Sequence, residues 1–109
     1  MMTLNPHFEQ YDAIFGDDPA AYLEFLEALQ SSMEKARHTL SEAAQTEDWN
    51  VISATRHSLK PTMTLLGAAP INELLEDWRP TMSALDPMPL QQALDIVLSA
   101  IAQKKKALS

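Results

Sequence analysis

The chain has 109 residues, which is the length of one small domain. Its 15 acidic residues outnumber its 8 basic ones, and the formal charge of −7 argues against nucleic acid or an anionic membrane as the main partner. The absence of cysteine excludes disulfides and thiolate chemistry, while two glycines and few β-branched runs disfavour a sheet-rich fold. The composition therefore predicts a single all-α domain over residues 1–109.

The first residues predict a short lead helix rather than a targeting segment. Residues 1–11 lack the apolar core of a signal peptide, and no stretch approaches the roughly 18–20 apolar residues that span a bilayer. We therefore expect a cytoplasmic protein that makes no membrane contact. The apolar side chains of the lead helix precede Gly16 and are Phe8, Tyr11, Ile14 and Phe15.

Two long helices are predicted next, over residues 18–46 and 48–66. Asp18 and Asp48 are suited to N-cap positions, and Pro19 is suited to the first position of a helix. Gly67 is suited to end the second helix in a left-handed conformation. One apolar face is expected on each helix. Its members are Tyr22, Phe25, Leu26, Leu29, Met33, Ala36, Leu40 and Ala43 on the first, and Ile52, Leu59, Met63 and Leu66 on the second.

Two more helices are predicted over residues 70–84 and 87–107, separated by a proline-rich break at 86–89. Pro80 is expected to bend or end the first of them, because proline lacks the N–H and crowds the preceding turn. The lysines at 104–106 are interpreted as a solvated helix end that complements the helix dipole. The apolar residues are Ile71, Leu74, Leu75, Trp78 and Met82 on the first, and Leu90, Leu94, Val97, Leu98 and Ile101 on the second.

Short connections between long amphipathic helices favour antiparallel neighbours. The sequence therefore predicts an up-down-up-down four-helix bundle with a short N-terminal lead helix. A unit of this length can bury its own apolar faces, so a monomer is expected.

A histidine in the second long helix lies on the face opposite the predicted core. At 100° per residue, His57 points about 160° away from Leu59. A solvent-facing row with spacings of four, three and four residues comprises Ser53, His57, Lys60 and Thr64. No acidic residue occurs within the window 49–72, where the charged residues are Arg56 and Lys60. The pattern predicts a neutral-to-basic surface around an exposed histidine.

The residue types in this row favour a group carrier. Imidazole is a nitrogen nucleophile near pH 7 without an activating metal. Lys60, one turn from His57, can hold a dianionic phosphoryl group through a charge-assisted hydrogen bond. The row contains no carboxylate that would complete a hydrolytic triad, so hydrolysis is disfavoured.

The run His57-x-Leu59-Lys60, followed by Gly67 and Ala68, resembles the signature of histidine-containing phosphotransfer (HPt) domains of bacterial phosphorelays. The predicted layout agrees over nearly the whole chain, with the histidine midway along the second long helix. The resemblance implies that His57 accepts a phosphoryl group and that Lys60 stabilises it. It also implies a partner, the receiver domain of a response regulator or hybrid histidine kinase, whose aspartate exchanges the group. The partner would supply the Mg²⁺, so this chain is expected to be a phosphocarrier, not an enzyme, and to need no cofactor.

The residues around His57 that we expect to contact the partner are Ser53, Arg56, Pro61 and Thr64. Many members of the family have glycine or another small residue directly after the lysine, where this chain has Pro61. Pro61 cannot donate to the carbonyl of His57, four residues earlier, so a mild kink is expected there. Such a kink would affect docking geometry more than the chemistry of His57.

The same residues allow three other interpretations. The first is a non-catalytic helical adaptor that binds a signalling protein through the same face. The second is a histidine-kinase dimerisation domain, but Pro61 falls one residue early for its phosphoacceptor box and no nucleotide-binding loop is present. The third is a metal site, which the scattered positions of His7, His38 and His57 disfavour. No metal is therefore expected.

Overall fold

Five α-helices account for most of the chain that the structure describes. The computed structural model describes residues 5–76 and 88–109, and no β-strand occurs in these ranges. The helices are α1 (Glu9–Phe15), α2 (Pro19–Thr46), α3 (Trp49–Leu65), α4 (Ala69–Glu76) and α5 (Met88–Leu108). The predicted all-α class is confirmed. None of the helices in the described ranges has the length and apolarity needed to cross a membrane.

The helix ends lie close to their predicted positions, within the one or two residues by which such boundaries ordinarily vary. The exception is the predicted helix 70–84, which the structure describes as helix only to Glu76. Its remaining part, with Trp78, Pro80 and Met82, lies outside the described residues, and so does the start of the predicted break at 86–89. Pro89 lies in the first turn of α5, where its missing N–H costs no hydrogen bond.

The predicted helix caps of α2 and α3 are confirmed. The carboxylate of Asp18 accepts a hydrogen bond from the N–H of Ala21 at 3.0 Å. Asp48 accepts one in the same way from the N–H of Val51 at 3.3 Å. Each cap satisfies a backbone donor that has no partner within the helix.

Gly67 ends α3 as predicted. Its φ of +71° is in the left-handed region. Its N–H donates to the carbonyl of Thr64 at 3.2 Å, and the N–H of Ala68 donates to Met63 at 2.8 Å. These two bonds form a Schellman motif, which satisfies carbonyls at the end of the helix. The turn lets α4 begin only four residues after α3 ends.

The core is built from the predicted apolar faces. The side chains of α2, α3 and α5 that were expected to face inward are buried or partly buried in one cluster. Its largest fully buried members are Leu26, Met33, Leu40, Ile52, Met63, Leu66, Ile71, Leu90, Leu94, Val97 and Ile101.

Side-chain pairs show that α5 runs antiparallel to α2. Arg37 holds Asp95 through two hydrogen bonds, of 2.7 Å from Nε and 3.2 Å from Nη2. Lys105, further along α5, donates to Gln30 at 2.9 Å, which lies earlier on α2. Helix α2 also packs against α3, and α4 packs against both α3 and α5. The helix that carries His57 is thus supported by neighbours on two sides.

The lead helix α1 is fastened to the rest of the molecule through Asp12. Its Oδ1 lies 2.8 Å from Nζ of Lys104 on α5 and accepts a 2.8 Å hydrogen bond from the hydroxyl of Tyr22 on α2. Lys104 also lies over the rings of Phe8 and Tyr22, at 5.8 and 5.5 Å from their centroids. Hydrogen bonds from Lys104 and then Tyr22 hold the pKa of Asp12 below its ordinary value.

The three terminal lysines lie at the end of α5 as predicted, but two of them are partly buried rather than solvated. Lys104 pairs with Asp12, and Lys105 donates to Gln30. Lys106 is exposed. The sequence pattern missed this because the partners are on α1 and α2, far away along the chain.

Candidate functional site

His57 lies at the midpoint of α3 and is exposed, with eight residues of the helix on either side. The core residues Leu59 and Met63 of the same helix are buried on another face. The other members of the predicted row are exposed as well, namely Ser53, Lys60 and Thr64. The structure therefore presents the row on the surface, with His57 in the interior of the helix. Arg56 is half-buried and lies beside the row.

Lys60 lies one helical turn after His57 on the same face. Side chains three residues apart on a helix have Cβ atoms roughly 5–6 Å apart, so the long Lys60 side chain can reach a group bound to His57. Its side chain is 62% exposed. These two side chains provide a nucleophile and a cation within reach of each other.

The predicted neutral-to-basic surface includes one carboxylate from a neighbouring helix, although the window 49–72 contains no acid. Helix α4 returns alongside α3 and brings Oε1 of Glu76 to 3.9 Å from Nζ of Lys60. The sequence window ended before this residue, and a spacing along one helix does not reveal a partner on the next. The lysine of the site thus has a carboxylate neighbour.

Asn72 joins α4 to α3 at the turn that follows His57. Its Nδ2 lies 3.4 Å from both the carbonyl of Lys60 and Oγ1 of Thr64, as a donor to each. The hydroxyl of Thr64 donates to the same Lys60 carbonyl at 2.9 Å. Asn72 is only 8% exposed, and its buried Oδ1 has no hydrogen-bond partner within the described part of the chain. The backbone that carries Lys60 is therefore tied to α4.

Pro61 lies within α3, which continues past it as a single helix to Leu65. Because proline has no N–H, the carbonyl of His57 lacks its usual donor four residues later. The ring of Pro61 is exposed beside His57. The expected kink and its effect on docking stay predictions.

A groove with a volume of about 380 Å³ runs between α2 and α3, and none of the four row residues lines it. Its floor is apolar and includes Leu29, Met33 and Leu59, while Ser58 and Thr62 line it from the side of α3. The groove reaches the residue that follows His57 but not His57 itself.

Sequence reasoning missed Asn72, Glu76 and His7. Asn72 and Glu76 are four residues apart, a spacing that places both on one face of α4. Together with the tight turn at Gly67, this spacing could have placed them against α3. His7 gave no comparable signal. The backbone N–H of His7 donates to the carbonyl of Leu66 at 2.8 Å, and the imidazole of His7 lies against Gly67.

No group of three or more potential metal ligands occurs within residues 5–76 and 88–109. His38 lies on α2 and pairs with Glu42 on the same helix at 3.1 Å. His7 packs at the turn after α3, as described above. The structure thus places the three histidines in three separate surroundings.

Comparisons of the chain with protein-family models, with curated proteins and with solved structures gave no match. The similarity to HPt domains consequently depends on the motif from His57 to Ala68 and on the all-α fold. Membership of that family is a proposal that rests on the geometry around His57.

Proposed function

We propose that this protein is a phosphocarrier of the HPt type, which accepts a phosphoryl group on His57 and exchanges it with the aspartate of a receiver domain. The observation that carries the proposal is the exposed position of His57 at the midpoint of α3, with Lys60 one turn away on the same face. A nucleophile on a rigid helix, with a cation beside it, suits transfer of an anionic group between proteins.

In the forward step, the lone pair of one imidazole nitrogen attacks phosphorus as the bond from phosphorus to the aspartyl oxygen breaks. The carboxylate of the receiver is regenerated, and the new N–P bond holds the phosphoryl group on His57. The other ring nitrogen keeps its proton during the transfer. The ammonium of Lys60 stabilises the anionic oxygens, while Mg²⁺ is expected on the receiver rather than here.

The proposed architecture is an up-down-up-down bundle of α2, α3, α4 and α5. The opposite directions of α2 and α5, together with the short α2–α3 and α3–α4 connections, support it. A monomer is proposed, because the long helices bury their apolar faces against one another. A cytoplasmic location is proposed together with the phosphocarrier function. Ser53, Arg56, Pro61 and Thr64 are the residues proposed to contact the receiver.

The test is phosphoryl transfer from receiver domains charged with radiolabelled phosphate. We expect wild-type protein to take up an acid-labile, base-stable label, as a phosphohistidine does, and His57→Gln to take up none. His38→Gln is the matched control, because it removes another exposed imidazole from a neighbouring helix. This variant should be labelled as well as the wild type.

Equal labelling of His57→Gln and wild type would show that His57 is not the acceptor. If no receiver in a broad panel transfers its label to the wild type, the carrier function itself is wrong. In that case the adaptor hypothesis becomes the better explanation. Binding of an unphosphorylated receiver domain is the measurement that supports it.

The groove between α2 and α3 favours that second candidate function, a non-catalytic adaptor. Its apolar floor could hold a partner without any chemistry at His57. The two functions differ in one respect that is easily measured. An adaptor with the substitution His57→Gln would keep its biological partner and its output, whereas a carrier would lose its output.

A further inference from the structure

Glu76 is a charged group next to the site to which the proposed function gives no role. Its carboxylate lies 3.9 Å from Nζ of Lys60, and more than half of each side chain is exposed. The packing of α4 explains this position. Asn72, four residues earlier, is buried against α3 and donates to the Lys60 carbonyl. Residues four apart share a helix face, so the anchoring of Asn72 directs Glu76 toward the Lys60 side chain.

We propose that Glu76 tunes phosphoryl transfer at His57 by competing with the phosphoryl group for the ammonium of Lys60. The inference rests on the proposed function and makes Glu76 a positioning residue that acts through Lys60. Without a phosphoryl group, Lys60 pairs with Glu76. A bound phosphoryl group carries up to two negative charges and is the stronger partner, so Lys60 must leave Glu76 to reach it.

The consequence of this competition is a less stable phosphohistidine. Lys60 gives up one ion pair to form another, and the energy of the first is subtracted from the stabilisation of the phosphoryl group. A phosphocarrier must transfer its phosphoryl group to a partner. A cation that binds the phosphoryl group weakly therefore favours that transfer. Exposed pairs of this kind are weak and are screened by salt, which sets the size of the effect.

The test uses phosphoramidate as a small phosphoryl donor, so that no partner protein is needed. The donor nitrogen is protonated, as –NH₃⁺. A ring nitrogen of His57 attacks phosphorus while the P–N bond of the donor breaks, and the electron pair of that bond leaves with the nitrogen as neutral ammonia. The ring then releases the proton of its other nitrogen to solvent. The rate of labelling of the full chain is followed for wild type, Glu76→Gln and Glu73→Gln.

We expect Glu76→Gln to be labelled about two- to fivefold faster than wild type, the factor that corresponds to an exposed ion pair. Glu73→Gln is the matched control, because it removes the same charge from an exposed position three residues earlier on α4. Its rate should equal that of the wild type. A gain in rate cannot come from a folding defect, so the result separates tuning from a structural effect.

Two further measurements show whether Glu76 acts through Lys60. The gain from Glu76→Gln should vanish in a Lys60→Ala background, as in a double-mutant cycle for coupled residues. It should also shrink in about 1 M salt, where the screening length is near 3 Å. A gain that persists in the Lys60→Ala background would overturn the competition and indicate direct repulsion of the phosphoryl group.

The failure of this inference differs from the failure of the proposed function. If wild type is labelled on His57 and Glu76→Gln is labelled at the same rate, the competition is wrong and the carrier function stands. If wild type takes no label from phosphoramidate or from any receiver, the carrier function is wrong and the role of Glu76 falls with it.

Discussion

Gly67 meets two requirements at the end of α3. Its φ of +71° is in a region that a side chain disfavours, and a Cβ built there would collide with the imidazole of His7. The first requirement could be anticipated from sequence, because glycine commonly follows the end of a helix. The second could not, because it arises where a distant part of the chain crosses the turn.

Gly67→Ala is expected to lower the free energy of unfolding by about 1–2 kcal/mol, the cost of placing a Cβ in the left-handed region. Urea denaturation measures this loss. The double variant His7→Ala/Gly67→Ala separates the two requirements. His7 is exposed and its ring can swing aside, so most of the loss should remain in the double variant. If the double variant recovered the full stability, the loss in Gly67→Ala would instead come from the collision with His7.

The helices illustrate which features are predictable from sequence. Caps at Asp18 and Asp48 and the apolar faces depend on residues within a few positions of one another, and these were predicted correctly. Pairs between helices depend on how the elements pack. This is why the partners of Lys104 and Lys60 were not anticipated. His57 and its exposed face belong to the first kind, whereas the carboxylate beside the site belongs to the second.

The connection between α2 and α3 contains a strained residue. Glu47 has a φ of +53° and is the non-glycine residue with a positive φ in the described ranges. Its N–H donates to the carbonyl of Ala43, which closes the end of α2 in the manner of a glycine cap. Asp48 follows at once as the cap of α3. The left-handed turn at Glu47 is therefore needed to join the two helices through so short a connection.

Glu47→Gly is expected to raise the free energy of unfolding by about 0.5–1 kcal/mol, because glycine adopts this conformation without the Cβ penalty. Thermal or urea unfolding tests it. Gln45→Gly is the control, since it places glycine in the last turn of α2. This variant should lower stability by up to about 1 kcal/mol. A loss of stability for both variants would contradict the strain at Glu47.

At the scale of the whole molecule, Asp12 connects α1 with the next helix, α2, and with the distant helix α5. Its partners are Lys104 near the end of α5 and Tyr22 in the first turns of α2. The ion pair brings together residues from both ends of the chain. Protonation of this one carboxylate weakens the attachment of α1 to the rest of the protein.

The folded-state pKa of Asp12 is below its ordinary value of 3.8, so its contribution to stability is fully present above about pH 4. This contribution is lost as the pH falls through the lower folded-state pKa. Asp12→Asn should be less stable than wild type at pH 7 by up to about 1 kcal/mol, the range for an exposed ion pair. The difference should shrink below pH 4. Urea titrations at pH 7 and pH 3 measure it, and a difference independent of pH would contradict the assignment.

The central position of His57 in α3 also determines which groups can stabilise the charge of an anion bound there. The field of a helix dipole is concentrated in its first and last turns. His57 has eight residues of helix on each side and is remote from both ends. A phosphoryl group there would gain little from backbone N–H groups, unlike a phosphate held at a helix N-terminus. Stabilisation of its negative charge would depend on neighbouring side chains and on the partner. Under the proposed function, single charge substitutions would therefore change the transfer rate without altering the helix.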